Sequence, residues 1–326
     1  SNIRDWQAKK YVCDALFDQL EDLFKFQWQT CSWYPDGDDG EWCMKDDSLH
    51  QLWWNKKEGR TLTFPPPGKS PGPLSPVIPE DPSIFSHFVF KDACKGGEEY
   101  TEYIEPLTSH LRHPTSGCGT KFCLPEDCKP NQGGGKYFYD RSWVVPPPRL
   151  REGVGKKLYY DAGASTWDGG QGGNSLGYFT TVWARHGVEF DRIEAWEGTT
   201  PPPKFYDSVP AAFKDRVFYH QELIASTQGE AGPFVPDVIE EQAEERDYVL
   251  WKLDIDSGPV EQGNIDFLLS SPEHLRLIDE VVWEHHVKNY FMPHWDGGID
   301  ETKEIGDSYE LFLRMRQAGI RAHSWI

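Results

Sequence analysis

The spacing of apolar and polar positions changes character once along this chain. Over residues 1–30, Trp6, Val12, Leu16, Leu20, Leu23 and Phe24 recur at helical intervals and predict an amphipathic helix. The period is then lost. Residues 31–60 are acidic, Trp-rich and loop-like, and the proline-dense run over 64–82 bars regular structure and predicts an extended tether. Residues 85–145 carry a glycine turn at 133–135 and no steady period. Pro146-Pro147-Pro148 punctuates the chain, and the boundary is placed there: 1–148 as a Cys/Trp/Pro-rich, mostly irregular extension packing on a core domain of 149–326.

Past the boundary, short apolar runs alternate with helical patterns, which is the signature of a parallel α/β sheet. Strands are predicted at Lys157–Asp161, Phe190–Glu197, Val217–His220, Tyr248–Asp254, Ile278–Glu284 and Arg321–Ile326. Helices are predicted from Ser175 to His186 (closed by Gly187), at Val209–Phe213, from Ile265 onward, and from Ser308 to Gln317 (ended by Gly319). No internal repeat is visible.

Composition narrows the function classes. An aromatic content of 14% argues for a folded chain, and a net charge of -20 repels phosphate backbones and anionic lipid. Nucleic acid is therefore a poor partner. No apolar run of 18 residues exists, so no membrane span is expected. The chain opens Ser-Asn-Ile and reads as a trimmed or mature form, which leaves open whether a signal or anchor preceded it.

The seven cysteines, Cys13, Cys31, Cys43, Cys94, Cys118, Cys123 and Cys128, crowd into the first 128 residues. Disulfides explain the crowding best and imply the secretory lumen or the cell exterior, with the cytoplasm as the alternative. The odd count leaves at least one thiol over. Zinc is the rival, but the five-residue intervals of Cys118, Cys123 and Cys128 are wider than structural zinc pairs use.

The candidate chemistry begins at the end of the first core strand. Asp161-Ala162-Gly163-Ala164-Ser165 is followed by Gly169-Gly170-Gln-Gly172-Gly173, and a helix opens near Ser175. Glycine lets a ligand approach the backbone, and a helix N-terminus offers free N–H groups, at the edge where open α/β sheets bind nucleotides. The dinucleotide spacing G-x-G-x-x-G is absent, which counts against NAD, and so is a phosphate-binding G-x-x-x-x-G-K-[ST]. Glu197, closing the second strand, is placed to bind both ribose hydroxyls of a nucleoside. His220 and Glu222, after the third strand, stand near where the adenine would lie, or serve only as a loop.

Asp161-Ala-Gly-Ala and Glu197 resemble motif I and the ribose-binding acid of class I S-adenosylmethionine-dependent methyltransferases. Trp251-Lys-Leu-Asp-Ile-Asp256-Ser-Gly258-Pro-Val-Glu261 resembles the K-[IL]-D-[VI]-[ED]-G-x-E segment of the FkbM-type branch, and Glu284-His-His286 its following acid-plus-His. The Asp-Ala-Gly-Ala-Ser opening and the closing Gly319-Ile-Arg-Ala-His-Ser-Trp325 are similar to algal and protist members of that branch. The resemblance covers about 155–326. It departs from the family in a swollen glycine loop, in Gly258 displaced by one residue, and in a chain that ends on the sixth strand where a seventh is usual.

The resemblance implies a Rossmann-like class I methyltransferase sheet and S-adenosylmethionine held by Asp161, Ala162, Gly163, Ala164, Ser165, Glu197 and Glu222. It implies methyl transfer to a hydroxyl of a glycan or small metabolite. Candidate bases are Asp254, Asp256, Glu284, His285 and His286. Adjacent His285 and His286 point opposite ways on a continued strand, so at most one faces the site. Asp254 is equally suited to capping a helix. Asp254, Asp256 and Glu284 with His294 and Asp296 form a possible divalent-cation set, though not the favoured one.

In the extension, Asp36-Gly-Asp38-Asp39-Gly-Glu41 is closer to a solvated acidic turn than to a calcium loop. Trp28, Trp33, Trp42, Trp53 and Trp54 suit a small core better than a sugar platform. Two rival functions stand beside methyl transfer: a methyltransferase fold kept for recognition alone, favoured if Trp167 plugs the pocket, and a nucleotide-sugar transferase using Asp254-Ile-Asp256.

Overall fold

The computed structural model describes residues 86–92, 98–105, 144–147, 150, 153–167, 175–288 and 298–325. The expected N-terminal helix, the proline tether, all seven cysteines, the five-Trp cluster, the acidic run at 36–41, the glycine loop at 169–173, and His294 and Asp296 lie outside the described residues.

The core is one sheet of six strands: β3 (Lys157–Ala162), β4 (Arg192–Trp196), β5 (Val217–His220), β6 (Tyr248–Leu253), β7 (Glu280–Trp283) and β10 (Arg321–Ser324). Their spatial order is β10-β7-β6-β3-β4-β5, and every pairing is parallel. In chain order this reads 6-5-4-1-2-3, the doubly wound arrangement that reverses between its first and fourth strands. The last strand pairs directly with the fifth. Among the described residues no seventh strand joins the sheet.

The two faces have different covers. One carries α3 (Val235–Gln242), α4 (Gly258–Ser270) and α6 (Ile305–Gln317) over Leu158, Val249, Trp251, Leu253, Val281 and Trp283. The other carries α1 (Ser175–Val182), a 3-10 turn over Trp183–His186 and α2 (Pro202–Ser208) over Tyr159, Ile193, Ala195 and Leu250. All six side chains of β6 are buried, as expected for a central parallel strand covered on both sides. The apolar run in its sequence, interrupted by Lys252 alone, is the cause. A short α5 (Pro272–Leu275) leads into β7. Two strand pairs lie outside the sheet: β8 (Val287–Lys288) with β9 (Asp300–Glu304), parallel, and an antiparallel hairpin of β1 (Ser86–Asp92) and β2 (Glu98–Ile104). The hairpin gives regular structure to a stretch expected to be irregular.

Helix positions follow the prolines. The expected helix at Val209–Phe213 is instead α2, earlier in the chain, with Pro202 and Pro203 in its first turn. No helix forms over 209–213, where residues 211–216 run as turns. The Pro210 ring disfavours helical geometry in the preceding residue, and Val209 is extended at φ -76, ψ 123. α3, unforeseen, likewise carries a proline in its first turn, Pro236. α4 starts at Gly258, seven residues before the apolar period becomes visible at Ile265.

Residues before the proposed boundary complete the burial of the edge strand. Glu105 accepts from Val145 N at 3.0 Å and lies 2.7 Å from His323 Nδ1 on β10. Arg316 Nη1 donates to Glu105 O at 2.8 Å, and Arg321 Nη2 donates to Val145 O at 2.9 Å. Burial opposes charge on Glu105, but His323 and Arg316 outweigh it and hold its carboxyl below the usual range.

Candidate functional site

The reversal of strand order places the carboxyl ends of β3 and β6 side by side, the crevice where open α/β sheets bind ligands. On the β3 side the chain leaves the sheet through Gly163, at φ +87. A side chain there is excluded: a Cβ would lie 1.6 Å from Asp254 O. Gly163 N and Ala164 N both donate to Trp196 O, at 2.9 and 3.0 Å, so the β3 loop also closes onto β4. The two non-glycine residues with positive φ among the described residues are Ser165 (φ 54) and Asp256 (φ 55). They sit in the loops on either side of the crevice. Backbone held in this costly region concentrates at functional sites.

Asp161, at the carboxyl end of β3, is fully buried. Its Oδ2 accepts from Tyr159 Oη at 2.5 Å and from Ser175 Oγ at 2.6 Å, tying the end of β3 to the first residue of α1. Its Oδ1 lies 3.4 Å from Lys252 Nζ. Ala162 and Ala164 are buried backbone positions. The residues of this loop that remain partly exposed, among those described, are Gly163, Ser165 and Thr166.

Lys252 was not singled out from the sequence, yet it is the hub. Its ammonium, buried with the rest of the side chain, donates to Gly163 O at 2.8 Å, Asp254 O at 3.1 Å and Ala162 O at 3.2 Å. It also lies 3.2 Å from Asp254 Oδ2. Burial works against this charge, but Asp254 and Asp161 outweigh it and raise its pKa above the ordinary lysine value. The signal available in the sequence was one lysine inside an otherwise apolar strand, where it is costly unless paired.

Behind Lys252 lies a second set of charges. Glu261, in the first turn of α4, accepts from Ile255 N (3.0 Å), Ser257 N (3.3 Å) and Trp283 Nε1 (3.1 Å). His286 presents Nδ1 to Glu261 Oε2 at 3.5 Å, and Nε2 to Asp256 Oδ1 at 3.4 Å and Glu284 Oε2 at 4.0 Å. Burial disfavours the charged ring, but Glu261, Glu284 and Asp254 outweigh it and hold the His286 pKa up at about 9. Burial and the neighbouring charge of Asp254 raise the Asp256 carboxyl. Five carboxylates (Asp161, Asp254, Asp256, Glu261 and Glu284) thus face one ammonium and one imidazole, and the crevice favours positive charge.

The two adjacent histidines do diverge. His285 stacks on Trp283 with ring centroids 4.0 Å apart and meets Ser308 Oγ through Nδ1 at 2.9 Å. Burial, with the His286 charge beside it, pushes its pKa down to about 3. His286 therefore belongs to the cluster and His285 to the α6 side.

Glu197 follows β4 as expected, half-buried. Its Oε1 accepts from Thr199 N (2.8 Å) and Thr199 Oγ1 (2.6 Å). Glu222 is exposed on the rim, 3.8 Å from His220 Nδ1. His220 is itself oriented: Nε2 meets the buried Glu194 at 2.6 Å, and the ring stacks on Trp196 at 5.2 Å. Trp167 is buried in the α1–α2 face, 4.7 Å from the Phe213 ring, with its backbone N–H bonded to Ser208 Oγ.

Asp254, Glu284 and His286 each bring a ligand atom within 4.8 Å of the others and could hold a divalent ion, although Lys252 already sets a positive charge against Asp254. Among the described residues no helix is long and apolar enough to cross a membrane. No protein-family model matches the chain, and neither the curated proteins nor the solved structures yield a match.

Proposed function

We propose that the chain is an S-adenosylmethionine-dependent O-methyltransferase acting on a hydroxyl of a glycan or small metabolite. The observation that carries this reading is the crevice at the strand reversal. Its entry is a glycine with positive φ, its flank ends in an acidic residue after the second core strand, and its floor holds more carboxylates than cations. A sulfonium is a small cationic group bound to a nucleoside, and it matches both features. The Lys-Leu-Asp-Ile-Asp and Glu-His-His segments that resemble the FkbM-type branch converge on this crevice.

Glu197 would hold the ribose, with Glu222 and His220 along the adenine side. In methyl transfer the acceptor oxygen attacks the methyl carbon in line as the carbon–sulfur bond breaks, and the bonding pair leaves on sulfur. The acceptor proton passes to a base. His286 is a poor base at neutral pH because it is protonated below about 9. His285 is neutral but turned toward Ser308. Asp256, exposed at its tip and with a raised pKa, is the better placed of the candidates.

The rival in which the fold serves recognition alone rests on the altered glycine loop and the missing strand, and gains if Trp167 or a neighbour plugs the pocket; Trp167 packs against Phe213. Calorimetric titration with S-adenosylmethionine and S-adenosylhomocysteine tests the proposal. Saturable one-to-one binding of both is expected. A folded chain that binds neither ends it.

A further inference from the structure

Away from the crevice, three side chains converge on the face carrying α3, α4 and α6. Asp237 and Glu240 are three residues apart on α3, hence on one side of the helix. His274 reaches them from α5, which runs into the amino end of β7, so this group stands at the opposite end of that strand from Glu284. One ligand atom from each of the three lies within 4.8 Å of the others.

The histidine carries the argument. His274 is 5% exposed, its ring packed edge-on against Phe267 at 4.8 Å. Ser271 Oγ lies 2.7 Å from Nδ1 and 3.4 Å from Glu273 Oε2, and when the serine hydrogen goes to Glu273, Nδ1–H is the donor to the serine. The Nε2 lone pair is then left pointing at carboxylates. Nε2 is buried with no hydrogen-bond partner among the described residues, and Glu240 Oε2 is 3.6 Å away. A buried ring nitrogen without a partner is costly, and a lone pair aimed at carboxylate oxygens repels them. A positive centre between them removes both penalties. An ion bonded to each atom at its usual length separates tetrahedral ligands by about 3.4 Å, and His274 Nε2 stands 3.6 Å from Glu240 Oε2. Gln228 Nε2 donates to Asp237 Oδ1 at 2.6 Å and fixes that carboxylate, as supporting partners do around metals.

We propose that Asp237, Glu240 and His274 form a site for a divalent transition-metal ion that clamps α3 to α5. One imidazole and two carboxylates suit zinc, manganese or cobalt, with water completing the shell. This site is independent of the reading of the crevice.

The probe is Mn2+ alone, added to the full chain and followed by loss of the free-ion paramagnetic resonance signal. Zinc would also be taken by thiolates of the seven cysteines, for which manganese has little affinity. Saturable binding is expected, weakened about tenfold or more in His274→Gln and in Asp237→Asn, and kept in Glu284→Gln, which alters the crevice cluster. Asp237 is only half-buried, so Asp237→Asn keeps the test open if His274→Gln fails to fold. Binding should also raise the thermal midpoint of the wild type and leave that of both α3/α5 variants unmoved. No saturable binding overturns the site. So does binding undiminished in both variants, and so does a loss confined to Glu284→Gln.

Discussion

The ammonium of Lys252 on β6 donates to the carbonyl of Gly163 on β3 at 2.8 Å, across the one place in the sheet where strand order reverses. In doubly wound folds this crevice opens where the loops diverge. Here a buried cation also ties its two lips together, because the Asp254 carbonyl and carboxylate share the same nitrogen.

Removing that cation should therefore do more than delete one ion pair. In Lys252→Met the three carbonyls lose a donor, and Asp161 and Asp254 keep their charges without this partner. Breaking a buried pair from one side costs about 3–5 kcal/mol. Urea unfolding should show a loss of that size. A loss below about 1 kcal/mol, the range of surface pairs, would mean that water replaces the ammonium and that the hub is not structural.

Gly163 and Gly187 separate two effects of glycine. Both have positive φ, +87 and +82. At Gly187, which ends the 3-10 turn, no atom of the described residues lies within 4 Å of the place a Cβ would take, whereas at Gly163 a Cβ meets Asp254 O at 1.6 Å. Gly187→Ala should cost only the left-handed backbone penalty, about 1–2 kcal/mol. Gly163→Ala must also part β3 from β6, and its cost should exceed about 4 kcal/mol or prevent folding. Equal losses in the two variants, read from denaturation midpoints, would remove close packing from the account.

The strands of the core domain were legible in the sequence because parallel strands covered on both faces are near-continuous apolar runs. Val217–His220 has the expected bounds, and Tyr248 to Asp254 differs by one residue at its end. The helices were less legible. Their apolar stripes are short, and their starts are set by prolines at 202, 236 and 259, whose effect is steric and leaves no period. The loops after β3, β4, β6 and β7 were identified from their residue types, but the roles within them were not. Asp161, read as a cofactor residue, also ties the end of β3 to α1 through Ser175. Lys252 and Glu261 looked like parts of a motif and are the charges that organise the cluster. Which oxygen meets which nitrogen depends on register between strands about 90 residues apart in the chain, and no local pattern encodes it.

The adjacent histidines should bend the stability profile in opposite directions. His286 has its folded pKa raised from 6.5 to about 9, so its contribution is fully present below about 6.5 and is lost as pH rises toward 9. The shift corresponds to roughly 3 kcal/mol. His285 has its pKa lowered from 6.5 to about 3. It is neutral in both states at high pH, and below about 6.5 the unfolded chain takes up a proton that the folded chain refuses, so stability falls on acidification. Urea midpoints measured across this range should lose their alkaline decline in His286→Gln and part of their acid decline in His285→Gln. A His286→Gln profile parallel to wild type would refute the charged state assigned to His286.

Glu197 offers the sharpest test of cofactor placement because its structural duty is slight. Its Oε1 caps the turn at Thr199, half in solvent, and its side chain lies outside the buried core. Glu197→Gln keeps the size and much of the turn while removing the charge. If the carboxylate binds ribose hydroxyls, the loss of charged hydrogen bonds worth about 1.5–3 kcal/mol should weaken S-adenosylhomocysteine binding by about 10- to 150-fold, with the thermal midpoint nearly unchanged. Calorimetry on the variant and the wild type separates the outcomes. Unchanged affinity would place the nucleoside away from β4. A fall in affinity matched by a fall in stability would assign Glu197 to the turn alone.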